Sequence, residues 1–147
     1  MTKHLRTLRV LLADDNREML RVVRSIVEPE FEVVATVTDG RTLVKAEEEL
    51  EPDIGIVDIS MPIMNGISAA SEIVKRGSHM RIIFLTVNED ADFVRAAFEA
   101  GGIGYVIKRQ MATDLLKAIE HARSGRYYVS PGCELPEGIA SLQLASI

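Results

Sequence analysis

Three runs in this chain, Val10-Leu-Leu-Ala13, Ile54-Gly-Ile-Val57 and Ile82-Ile-Phe-Leu85, have no polar side chain at any position, so a strand built from one of them must be covered on both faces. Antiparallel sheets with a wet face do not produce such runs; parallel sheets wrapped by helices do. Between them lie amphipathic stretches of about ten residues or more, and the order strand, helix repeats five times. The run Phe31 to Val37 instead alternates with Glu32 and Thr36, which marks an edge strand. With the second strand at the edge and the first in the centre, the expected fold is α/β: a doubly wound, flavodoxin-like parallel sheet of five strands in the order 2-1-3-4-5.

The helices follow from the same pattern. Asn16 is the expected cap of helix one, which sets Met19, Val22, Val23, Ile26 and Val27 on one face. Helix two is expected from Gly40 to Glu51, helix three from Gly66 to Arg76, helix four from Asp90 to Ala100 and helix five from Thr113 to Ser124. These place a single domain at residues 1–127, with 128–147 as a linker or tail rich in turn residues. At 147 residues there is core enough for one domain to fold alone.

A parallel topology brings the carboxyl ends of the strands to one crevice. Asp14 and Asp15 follow strand one, Asp58 follows strand three, Thr86 ends strand four and Lys108 follows Gly104-Tyr-Val-Ile107. Carboxylates so close repel unless a cation sits among them, and Mg²⁺ suits oxygen ligands. Each residue has a plainer reading in isolation: a helix-capping Asp, a strand-end hydroxyl, a surface lysine. Their convergence favours a cation-dependent phosphoryl site.

The turn Asp58-Ile-Ser-Met-Pro-Ile-Met-Asn-Gly66, with Asp14-Asp15, Thr86 and Lys108 in order around it, resembles the receiver domain of two-component response regulators over residues 8 to 127. The resemblance implies that Asp58 accepts a phosphoryl group from a phosphohistidine of a sensor histidine kinase. It implies Mg²⁺ held by Asp14, Asp15, Asp58 and the Ser60 carbonyl, with Asp14 acting through a water. It implies phosphoryl-binding and switch roles for Thr86, Lys108 and Tyr105, and an access-tuning role for Ser60, Val87 and Asn88. Val87 stands where a small residue is usual, either crowding the approach to Asp58 or turning toward helix four as core. Arg109, where many receivers have Pro, and the ending Gly125-Arg-Tyr-Tyr-Val-Ser-Pro131 resemble the subgroup with LuxR-type helix-turn-helix output.

For partners, the resemblance implies the kinase and a homodimer through helix 4/strand 5/helix 5 or helix 1/helix 5. DNA would be met only through an output domain, for which the residues after Pro131 are too few; the other expectation is a receiver that acts alone. The net charge of −5 also disfavours direct DNA binding. No apolar run spans a bilayer and no signal peptide is evident, so no membrane partner and a cytoplasmic location are expected. A single Cys133 permits no internal disulfide, and His4, His79 and His121 show no ligand spacing. Two further readings are a haloacid-dehalogenase-type phosphatase, which needs Asp-x-Asp on the first strand, and a pseudo-receiver that is never phosphorylated.

Overall fold

Four helices begin at a side chain that accepts a hydrogen bond from the first turn: Asn16 from Met19, Asp39 from Thr42, Asn65 from Ser68 and Asp90 from Asp92. Each satisfies an amide that the helix itself cannot. The computed structural model describes residues 7–139. Along it run β1 (Arg9–Ala13), α1 (Arg17–Val27), β2 (Glu32–Val37), α2 (Gly40–Leu50), β3 (Ile54–Val57), α3 (Gly66–Lys75), β4 (Arg81–Thr86), α4 (Ala91–Glu99), β5 (Gly104–Ile107), a single 3₁₀ turn (Lys108–Gln110), α5 (Met111–Arg123) and β6 (Tyr128–Val129).

The sheet is parallel throughout, ordered β2-β1-β3-β4-β5-β6. The expected order 2-1-3-4-5 is present, and a sixth strand extends it. Periodicity ends the domain near residue 127, but Tyr128 and Val129 pair with Gly104 and Tyr105, and Ser130 is fully buried beyond them. Two residues with β-forming side chains make too short a run for alternation to register.

The core has two halves, one on each sheet face. Leu43, Ile73, Val94 and Phe98 of α2, α3 and α4 pack with Leu11, Ile82, Phe84 and Tyr105 on one face. Leu20, Val23, Leu115 and Ile119 of α1 and α5 pack with Val10, Leu12, Ile56, Ile83 and Val106 on the other. Complete burial of one such aliphatic side chain contributes roughly 1.5–3 kcal/mol. The buried face of α1 is turned from expectation: Leu20, Val23 and Val27 are buried, while Val22 is 39% exposed. Strands β3 and β5 have no exposed residue, whereas β2 is mostly half-buried, as an edge requires.

Between β3 and α3 the backbone departs from the comfortable regions. Ile63 has φ of 71°, a left-handed conformation that is costly for a β-branched side chain, and its side chain is 81% exposed. No buried contact offsets the strain. Replacing Ile63 by Asn, which tolerates this region, is expected to raise stability by about 1 kcal/mol; denaturant unfolding reads it, and an unchanged midpoint would refute the strain.

Candidate functional site

Five elements deliver the site. β1 ends at Ala13, and the Asp14 amide then donates to the carbonyl of Val37 while the Asp58 amide donates to the carbonyl of Ala13. The sheet ladder therefore fixes the backbone of both acids. Asp14 and Asp58 are buried and Asp15 is exposed, and one carboxylate oxygen from each lies within 4.8 Å of the others. At the N-terminus of α3, Gly66 donates its amide to the Ile59 carbonyl at 2.8 Å and packs so tightly that an added methyl would lie 2.1 Å from the Asp58 carbonyl oxygen. Gly40, opening α2, sits equally close to the Met64 backbone. Both glycines read in sequence as helix starts; contact with the loop after Asp58 is the stronger reason for them.

Lys108 supplies the positive charge. Its Nζ is 2.7 Å from Asp14 Oδ2 and 3.3 Å from Asp58 Oδ2. Burial works against the ammonium, yet the bond to Asp14 and the Asp58 charge outweigh it and raise its pKa, keeping it charged. Asp58 moves the other way. Burial first, then the Asp14 charge, raises its carboxyl above the ordinary range, and Lys108 only partly compensates.

Thr86 is buried at the end of β4, and its Oγ1 accepts from the backbone amide of Asn88 at 3.2 Å and from Asn88 Nδ2 at 3.3 Å. Those bonds use its lone pairs and leave its proton to donate. Tyr105 is fully buried and donates its hydroxyl to the Asn88 carbonyl at 2.8 Å; burial pushes its pKa up. Asn88 thus bridges Thr86 and Tyr105. Val87 is 70% exposed, so it is not the core residue that one of its two sequence readings makes it.

Of the other sequence candidates, Ser60 is exposed and, with Asp15, Met61, Asn65, Ile67 and Phe93, lines a cavity of about 580 Å³ beside the acids. His79 is exposed, His121 packs edge-on against Tyr128, and His4 lies outside the described residues. The pairing of Asp114 with Ser130 gave no sequence signal beyond the two polar side chains themselves.

The acids suit a hard divalent cation. Two of the three are buried, a single ammonium stands against them among the described residues, and all offer oxygen. Among the described residues no helix is long and apolar enough to cross a membrane.

Known proteins resemble this chain in sequence and in fold. The model of the response regulator receiver domain matches residues 10–120. The chain is 31% identical over 126 residues to the transcriptional regulatory protein DegU of Brevibacillus brevis, covering 84% of this chain and 53% of that one. It is 36% identical over 110 residues to the chemotaxis protein CheY of Halobacterium salinarum, covering 75% and 92%. A crystal structure of a LuxR-family two-component response regulator from Aurantimonas sp. SI85-9A1 superposes with a TM-score of 0.82 at 32% identity, over 96% of this chain and 97% of that one. The chain spans about half the length of DegU and nearly all of CheY. With the strand order, the acids at its reversal point and these matches in agreement, the chain belongs to the response regulator receiver domain family.

Proposed function

We propose that Asp58 is the phosphoacceptor, that Asp14, Asp15, Asp58 and the Ser60 carbonyl hold Mg²⁺, and that the donor is the phosphohistidine of a sensor histidine kinase. One observation carries the reading: three carboxylates share a crevice with the Lys108 ammonium, and Asp58 lies against that ammonium. An Asp58 carboxylate oxygen attacks phosphorus, the P–O bond forms as the P–N bond to imidazole breaks, and the departing imidazole nitrogen takes up a proton. Phosphoryl transfer needs position and charge neutralisation more than covalent help from the protein. Bound Mg²⁺ supplies neutralisation on one side. Lys108 supplies it on the other, and Thr86 donates its hydroxyl to a phosphoryl oxygen. The protein thereby assists its own phosphorylation and its later hydrolysis.

Ser60, Val87 and Asn88 tune access. Tyr105 follows Thr86 through Asn88, so the state of Asp58 reaches the surface of α4, β5 and α5. Activity beyond that surface is a binding event that controls a DNA-binding output; the relatives named transcriptional regulatory proteins support this, and the match over 92% of a chemotaxis protein supports the second reading, a stand-alone receiver. Homodimers through α4/β5/α5 or α1/α5, and a cytoplasmic location, belong to the same proposal. Incubation with Mg²⁺ and acetyl phosphate tests it: intact mass should rise by roughly 80 Da, one phosphoryl group, and EDTA should abolish the gain. An unphosphorylated chain under those conditions would make it a pseudo-receiver.

Asp15 is exposed and Asp14 is tied to Lys108, so their substitution should separate. Asp15→Asn is expected to weaken Mg²⁺ binding about tenfold more than Asp14→Asn, since a direct ligand loses its full contact with the metal. Because the carboxyl of Asp58 is raised, protons compete with the cation: affinity should climb as pH rises through its pKa and then level off. Calorimetric titration of both variants at several pH values reads both effects; equal losses would count against the assignment of ligands.

A further inference from the structure

The segment after α5 does not leave the domain. Tyr128 and Val129 add a parallel strand to the outer edge of β5, and the Tyr127 ring packs edge-on against Phe98 of α4 at 5.9 Å. Val129, Cys133, Leu135 and Ile139 lie against the core half that contains Val94, Phe98 and Tyr105. The chain itself therefore occupies part of the α4/β5 surface on which the proposed output relies.

One fully buried hydroxyl fastens it. Ser130 Oγ donates to Asp114 Oδ2 of α5 at 2.7 Å and accepts from the Ile107 amide at 3.0 Å, while the Ser130 amide donates to the Tyr105 carbonyl at 2.9 Å. Asp114 also bonds the Tyr128 hydroxyl, which burial and that carboxylate push up to about 12. A buried hydroxyl with both donor and acceptor roles filled resists release, because parting it leaves buried polar groups unpaired. The residue after Ile107 is Lys108, whose ammonium holds Asp14 and Asp58. The Ile107 amide that Ser130 holds thus lies one residue before Lys108, and the Ile107 backbone alone separates the fastening of the segment from the residue at the acid cluster.

We propose that residues 127–139 form a strap over the α4/β5 surface, latched by Ser130 to Asp114 and Ile107, and that repositioning of Lys108 at the acid cluster loosens the latch. This rests on the reading of Asp58 as phosphoacceptor for its trigger, but the mechanical link does not. A phosphoryl group on Asp58 draws Lys108 from Asp14, the Ile107 amide turns with it, and Ser130 loses one of its partners. The strap then frees the edge of β5 together with Phe98 and Tyr105. The latch is a two-state element of the kind that converts a local charge change into a surface change.

Hydrogen exchange read by mass spectrometry tests it on the whole chain. Peptides within 127–139 should exchange about tenfold faster in Ser130→Ala than in the parent, with peptides of β1 and β3 unchanged and acetyl phosphate still adding its mass. If Ser130→Ala fails to fold, Asp114→Asn, which keeps an acceptor for the hydroxyl, should give a smaller rise in the same peptides. Lys108→Ala without any phosphodonor should also speed exchange there, which tests the link independently of phosphorylation. In the parent, samples whose intact mass shows the adduct should show the same gain. Absence of the adduct would refute the phosphoacceptor reading alone; unchanged exchange in Lys108→Ala, or in a sample that carries the adduct, would overturn the strap.

Discussion

Asp58→Asn is expected to lose phosphorylation by acetyl phosphate completely and, in the absence of metal, to melt at a higher temperature than the parent. The first effect follows from the proposed role of Asp58, because an amide oxygen is a poor nucleophile, and Asp14, the other buried acid of the crevice, is held more closely by the Lys108 ammonium, at 2.7 Å against 3.3 Å. The second is a matter of linkage. A carboxyl whose pKa is raised in the folded state binds more protons folded than unfolded, so its contribution to stability is present at low pH and lost as pH rises through the folded pKa. At neutral pH the ionised Asp58 therefore strains the metal-free fold, and removing its charge relieves that. Each kcal/mol recovered is worth about 3 °C in a domain of this size. Mg²⁺ should raise the melting temperature of the parent and do little for the variant. A variant that melts below the parent without metal would contradict the electrostatic account of the crevice.

Gly66→Ala is expected to cost roughly 3 kcal/mol or more, at the upper end of overpacking effects, because the added methyl meets backbone rather than a side chain that can swing aside. It would stand 2.1 Å from the Asp58 carbonyl oxygen and 2.9 Å from Val57 Cγ1. Moving α3 away would break the bond from the Gly66 amide to Ile59 and shift Asp58 itself. Thermal melting should show a fall of about 9 °C at about 3 °C per kcal/mol, and Mg²⁺ affinity should fall with it. Gly138→Ala is the control, since among the described residues nothing lies within 4 Å of its added methyl. A Gly66→Ala protein as stable as that control would mean that the contact is not tight.

Much of this site is legible in the sequence because parallel topology leaves little choice: once Val10, Ile54 and Ile82 begin buried parallel strands, Asp14, Asp58 and Thr86 must come to the same sheet edge. The centre of the buried face of α1 is not legible. Six of its eleven residues are apolar, a stripe wider than its contact with the sheet, so spacing alone does not choose between Leu20 and Val22. The choice falls to the geometry of packing. Nor does periodicity reveal β6 or the Ser130–Asp114 bond, which joins single side chains 16 residues apart across the end of α5. A polar pair of that kind is specified by tertiary structure, and its only trace in sequence is a serine where burial would not be expected. Val87 left two readings open in sequence, and the structure removes one: β-branching allows a packed strand end, but β4 stops at Thr86 and the next residue is already outside the core.

In the proposed function Asp58 takes the phosphoryl group with the help of a cation, and site-specific labelling tests this directly. The parent chain, treated with acetyl phosphate and Mg²⁺, can be reduced with borohydride to convert the aspartyl phosphate to homoserine, then digested and sequenced by mass spectrometry. Homoserine should stand at position 58 alone, and at no position when EDTA replaces Mg²⁺. Homoserine at Asp14 or Asp15, or equal labelling of Asp58 without the cation, would contradict it.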